Sequence, residues 1–273
     1  GKMGVEPQSE TVWRQGDKYG VPRICFINKI NQTGGDFYKS LESIRKRLRK
    51  EAYPIQLPIG SEKDINGVVD LVALKSYTYK EFTDHQLVEG EVPAEMAEQV
   101  AKYRSELIEK AVEFDEKLME KYLGGTELTV DELRSAIRKA TLTGNFFPVM
   151  GGDGRGVIVE TLLDAIMYYL PSPLDKPPVV GVHPKTGEEL VRHADEKEPF
   201  AALAFKIASD PFVGKLCFFR VYSGQLTAGS YVYNSTKGER ERIGRIVRMH
   251  AAQREDVQEV SAGEIAAAVG LKS

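Results

Sequence analysis

The sequence predicts part of a doubly wound α/β sheet carrying an α+β insertion, followed by an all-β barrel. Three observations carry this. The run "RICFINK" is apolar at nearly every position, as strands buried on both faces are, and it lies between two helical patterns. The four prolines of "PSPLDKPPVVG" (171–181) exclude helix and central strand alike. Beyond them come short strand-like runs with glycine turns, at the roughly ten-residue spacing of a small barrel.

Residues 6–19 read as a helix with Pro7 in its first turn and Val12 sharing a face with neighbouring turns; Gly20 and Pro22 end it. The strand follows. The next helix, "GDFYKSLESIRKRLRKEA", places Phe37, Leu41, Ile44 and Leu48 at helical spacing. Between strand and helix lies loop 28–35, at the carboxyl end of a strand, where sheets of this class bind ligands. In 54–82, "PIQLPIG" and "GVVDLVALKSYTY" read as short strands around a turn, "SEKDING". One long helical region then runs from Met96 through Val100, Tyr103, Leu107 and Ala111 to Phe114, Leu118 and Tyr122, stopped by Gly124-Gly125. A second helix opens at a capping box, Thr129 with Glu132. "NFFPVM" restores a buried strand and "ETLLDAIMYYL" a helix. The expected division is 1–53 with 143–170 as the α/β part, 54–142 as its insertion, 171–197 as a proline-rich linker and 198–273 as the barrel.

Composition sets bounds. The chain has 273 residues, 42% of them hydrophobic and 28% charged, and a net charge of −3, so bulk charge does not mark a nucleic-acid binder. Cys25 and Cys217 make no disulfide framework and are expected as free thiols in a reducing cytoplasm. No apolar stretch approaches the ~20 residues of a membrane span. His85, His183, His193 and His250 lack metal-ligand spacing.

Several long stretches then carry a resemblance. "GVEPQSETVWRQGDKYGVPRICFINK" resembles the guanine-nucleotide domain of the bacterial elongation factor G family, the ribosomal translocases. "DEKLMEKYLGGTELTVDELRSAIRKAT" is similar to that family's insertion, and "YYLPSPLDKPP", "FKIASDPFVGKLCFFRVYSG" and "KGERERIGRIVRMHA" to its linker and second domain. The resemblance implies a GTPase-type sheet, an inserted G′ subdomain, a translation-factor barrel, GTP or GDP in the parent family, and the ribosome as partner. It also implies a central fragment. No G-x-x-x-x-G-K-[ST] phosphate loop occurs. The family's effector loop and its magnesium-site Asp-x-x-Gly with hydrolytic histidine are absent too. No catalytic residue, bound nucleotide or GTP turnover is therefore expected of this chain alone. Exposed apolar edges of the truncated sheet are expected to favour self-association.

In such GTPases an Asn-Lys-x-Asp loop reads guanine: the Asn amide meets the N7/O6 edge, the Lys stem covers the ring, and the Asp carboxylate accepts from N1–H and the exocyclic amine. Here Asn28 and Lys29 match and Asn31 replaces the Asp. A carboxamide has one acceptor and one donor. Its donor facing guanine's amine would cost about ten- to hundredfold in affinity and would suit the carbonyl of xanthine. The family's second base loop, Gly-Ser-Ala, reads Gly151, Gly152, Asp153 here. Its backbone donor survives, but Asp153 is expected to bring negative charge towards a carbonyl. A polar turn capping the next helix is the plainer reading of Asn28–Asn31.

Two basic stretches complete the survey. Arg45, Lys46, Arg47, Arg49 and Lys50 read as a solvated helix face. In "KGERERIGRIVRMHAAQR", Lys237, Arg240, Arg242, Arg245, Arg248 and Arg254 outnumber Glu239 and Glu241, and strand alternation puts several on one face. The resemblance makes Lys237, Arg240, Arg242, Arg245 and Arg248 candidates for contact with ribosomal RNA. The competing functional reading is a non-catalytic ribosome-binding or structural module with a disabled nucleotide site.

Overall fold

The computed structural model describes residues 1–79, 87–153, 158–210, 214–250 and 253–271. His85, Gly154 and Gly156 lie outside them. The chain forms two compact units, Gly1–Leu170 and Pro171–Ser273.

The first unit begins with α1 (Pro7–Lys18), which has Pro7 at its start. Trp13 is its buried residue, tilted against Phe147 at 4.7 Å, while Val12 points to solvent. Val12 therefore does not lie on the buried face of α1; Trp13 does. β1 (Cys25–Asn28) leads to α2 (Phe37–Arg47) and β2 (Ala52–Pro54). β3 (Gln56–Ile59), β4 (Gly67–Asp70), β5 (Lys75–Thr78) and β6 (Val88–Gly90) form an antiparallel sheet in that order. The helical run splits into α3 (Ala97–Val112) and α4 (Glu116–Leu123), because Asp115 accepts from Leu118 N and caps a new helix. α5 (Val130–Leu142) carries the expected capping box, Thr129 with Glu132. β7 (Phe147–Gly152) and α6 (Val159–Tyr169) complete the unit.

β7 is fully buried and pairs in parallel with β1 on one side and β2 on the other. This parallel sheet with its helices is the expected GTPase-type arrangement. One continuous core joins Ile27, Phe37, Leu41 and Val149 to Leu57, Val69, Leu107, Leu133 and Ile137. Segment 54–142, expected as an insertion, therefore shares its apolar core with the rest of the unit.

The second unit is built almost wholly from antiparallel strands. Residues 171–197, expected as a linker, hold a hairpin of β8 (Val179–Val182) and β9 (Glu189–Arg192). β10 (Ala201–Asp210) and β11 (Gly214–Ser223) follow; β12 (Gln225–Thr227), β13 (Tyr231–Asn234) and β14 (Glu239–Arg242) are short. β15 (Arg245–His250), β16 (Gln253–Val257), β17 (Glu259–Ser261) and β18 (Ile265–Val269) end the chain. The main sheet runs β10-β11-β18-β15-β16, with β12–β17 and β13–β14 as pairs. Phe219, Val221, Leu226, Ile246, Val260 and Ala266 fill its core, as a barrel-type domain requires. Both cysteines are free thiols. No helix among the described residues is long and apolar enough to cross a membrane.

Leu41 is completely buried on α2, whereas Leu163 on α6 is exposed. Leu41→Ala is expected to cost about 2–5 kcal/mol in urea unfolding, and Leu163→Ala to stay within about 0.5 kcal/mol. Equal effects would show that α2 does not pack as described.

Candidate functional site: two loops at the carboxyl ends of β1 and β7

The parallel register sets Asn28 opposite Gly152, so the two loops leave the sheet side by side although their residues lie over a hundred positions apart. Ile30, 1% exposed, ties them together: its N–H donates to Gly152 O at 3.4 Å, and its side chain packs into the core. A Cβ on Gly151 would come within 2.6 Å of the Phe37 ring and 3.1 Å of Ile30 Cδ1, so glycine leaves the room that these two side chains fill.

Asn28 Oδ1 accepts from Lys29 N at 2.8 Å, and Lys29 takes the left-handed conformation with φ 64°. A non-glycine residue held there costs on the order of 1 kcal/mol or more, and such strain gathers at functional sites. Both Asn28 and Lys29 face solvent. The loop closes through Gln32 N to Lys29 O and Gly35 N to Gln32 O. A Cβ on Gly35 would lie 2.6–2.8 Å from the carbonyl oxygens of Ile30, Lys29 and Gln32. The cap of α2 is Asp36, whose carboxylate accepts from Lys39 N at 3.0 Å. Neither Asn28 nor Asn31 does that work, which removes the plainer reading of this loop.

Asn31 meets Asp153 directly. Its Nδ2 donates to Asp153 Oδ2 at 2.9 Å, and Asp153 is 5% exposed. The carboxylate that seemed from sequence to threaten a base carbonyl is turned towards the amide of the first loop. Asn31 Oδ1 is buried and has no hydrogen-bond partner among the described residues. Leaving such an acceptor unpaired costs about 1–3 kcal/mol.

Two side chains from 54–142, invisible to motif reasoning, hold the second loop. Gln56 is buried; its Nε2 donates to Gly151 O at 3.0 Å, and its Oε1 accepts from Thr161 Oγ1 at 3.0 Å. A lone amide inside an apolar strand was the only sequence signal. Tyr79 reaches the start of α6, where its hydroxyl accepts from Ile158 N at 2.7 Å and donates to Glu160 Oε2 at 2.6 Å. Burial, and then the Glu160 carboxylate, push its pKa up to about 12, so the hydroxyl stays protonated and able to donate.

A family model described as the elongation factor Tu GTP-binding domain matches residues 1–172. The chain belongs to that family. A model of elongation factor Tu domain 2 matches residues 214–273. A crystal structure of a protein from Thermus thermophilus is 30% identical with a TM-score of 0.78, over 98% of this chain and 37% of that one. This chain thus spans little more than a third of that neighbour's length. GTP and GDP are the ligands the family name implies. Asn28, Lys29, Asn31 and residues 151–153 lie together at the carboxyl ends of β1 and β7.

The basic stretch of this family member resolves differently. Arg245 forms a two-pronged pair with Asp256 at 2.9 and 3.0 Å, Arg248 pairs with Glu264, and Arg254 with Asp210. Their charge is neutralised by carboxylates from other parts of the chain. Lys237, Arg240 and Arg242 remain without an ion pair among the described residues. Arg240 lies 5.7 Å from the Tyr231 ring, and Glu241 between the arginines turns inward. On α2, Arg45 pairs with Glu106 and Arg47 with Glu10, and just beyond the helix Arg49 pairs with Asp17, so this basic stretch ties elements together. Among the described residues no cluster of His, Cys, Asp or Glu has the arrangement of a metal site.

Tyr79→Phe leaves the Ile158 N–H without its acceptor. Hydrogen exchange at Ile158 is expected to quicken about tenfold, the equivalent of 1.4 kcal/mol. Unchanged protection there would show that Tyr79 does not secure the loop.

Proposed function

We propose that this chain holds the base-reading loops and second domain of a cytoplasmic, translocase-type elongation factor resembling elongation factor G. In this reading Asn28, Lys29 and Asn31, with Gly151, Gly152 and Asp153, hold the guanine of GTP or GDP. The parent protein couples GTP hydrolysis to movement of tRNA and mRNA on the ribosome. The observation that supports this most is the convergence of the two loops on a buried, unpartnered acceptor. The likeness of residues 115–141 to the insertion of the translocases supports the choice within the wider family.

Chemistry at the phosphates is another matter. The 273 residues contain no G-x-x-x-x-G-K-[ST] motif, whose backbone N–H groups and lysine cradle a triphosphate. The chain by itself therefore serves as a recognition and ribosome-binding module without GTP turnover. The buried, unpaired Asn31 acceptor revises the expectation of no bound nucleotide: titration with guanine and adenine nucleotides is expected to give weak binding that favours guanine, with no phosphate release with or without ribosomes. Release of phosphate from GTP by the pure chain would overturn the non-catalytic half of the reading. Equal affinity for ADP and GDP would overturn the base-recognition half.

Lys237, Arg240 and Arg242 on the β13–β14 hairpin are the groups proposed to meet ribosomal RNA. Replacing all three with Ala is expected to lower the slope of log affinity against log salt by about 2–3 in ribosome pelleting. Replacing the paired Arg245 and Arg248 is expected to change it less. The reverse order would move the contact to β15.

A further inference from the structure

We propose that Asn31 and Asp153 act as one recognition unit: Asp153 locks the Asn31 amide so that its oxygen, not its nitrogen, is the end left to accept from the base. This deepens the proposed guanine site and rests on it. A free carboxamide can offer either end. Here that choice is removed. The amide nitrogen is 2.9 Å from a buried carboxylate oxygen, and turning the amide over would set oxygen against oxygen at the same distance. The remaining atom, Asn31 Oδ1, is a buried acceptor with no partner among the described residues, and a base edge must displace what covers it. Hydrogen-bond donors on the ligand's ring edge complete it, and guanine has two there, N1–H and the exocyclic amine.

Two consequences run against reasoning from either position alone. The loop keeps a preference for guanine over xanthine despite its asparagine, because the donor that would have welcomed xanthine's carbonyl is already engaged by Asp153. In addition, Asn31→Asp, which writes the usual Asn-Lys-x-Asp motif into this chain, harms it. It replaces a donor by a second carboxylate beside Asp153, and two carboxylates at hydrogen-bond distance cannot both ionise without penalty. The departures in the two loops therefore compensate each other. Asp153 is a positioning residue here, acting through Asn31.

Two measurements test this. Without nucleotide, the thermal midpoint of Asn31→Asp is expected to fall by at least roughly 2–4 °C. The exchanged pair Asn31→Asp/Asp153→Asn, which again places one amide against one carboxylate, is expected to recover most of that loss. An Asn31→Asp variant as stable as the parent, or an exchange that recovers nothing, overturns the coupling. With nucleotide, the chain is expected to bind GDP at least tenfold more tightly than XDP. Asp153→Ala, which frees the amide to turn, is expected to narrow that ratio about tenfold. A preference for XDP, or a ratio that Asp153→Ala does not move, overturns the locking of the amide. Binding of neither nucleotide would overturn the purine assignment and the proposed function with it, while the stability series still decides the coupling.

Discussion

The parallel pairing of β1 with β7 governs which residues meet at the carboxyl edge of the sheet. Parallel neighbours end at the same edge of a sheet, so whatever follows each strand is delivered to one place. The register, Asn28 beside Gly152, sets which residues those are. Packing makes the register hard to shift. Ile30 is buried under Gly151, and Phe37 fills the space a side chain at 151 would need. A slip of one residue would turn the buried positions of β1 outward. The polar atoms of the site thus depend on an apolar contact just behind them.

Around that pairing, polar side chains from 54–142 act as braces. Gln56 spends both ends of its amide, on Gly151 O and on Thr161. Tyr79 holds the first turn of α6 and satisfies the backbone N–H of Ile158. Buried polar groups of this kind are costly unless fully engaged, and engaged they favour one arrangement over its neighbours. This is why 54–142 cannot be regarded as a passive attachment: it contributes to the core and supports the second loop.

Charge shows the same dependence on partners. The arginines of "KGERERIGRIVRMHAAQR" form a dense run in one dimension, but the fold of the second unit sets Asp256, Glu264 and Asp210 against three of them. What stays available is a smaller group on one hairpin. At Asp153 the effect is opposite in sign. A carboxylate that reads as an intruder in its own loop becomes an orienting partner for an amide of another.

The elements themselves were largely legible. Helical spacing located α2 and α5, the Thr129–Glu132 box marked the start of α5, and an unbroken apolar run identified β7; these are local patterns, fixed by side-chain period and by which residues can cap. Asn28, Lys29 and Asn31 stood out for the same reason, as polar residues at the end of a buried strand. The exposure of Val12 and the break at Asp115 were less legible, because each turns on which of two acceptable neighbours packs or caps better. Only the tertiary structure decided that Asn31 faces Asp153, that Gln56 and Tyr79 brace the loop, and which arginines are neutralised. Each of these is a contact between residues distant in the chain, and its sign depends on the partner's identity and direction, which no local period encodes.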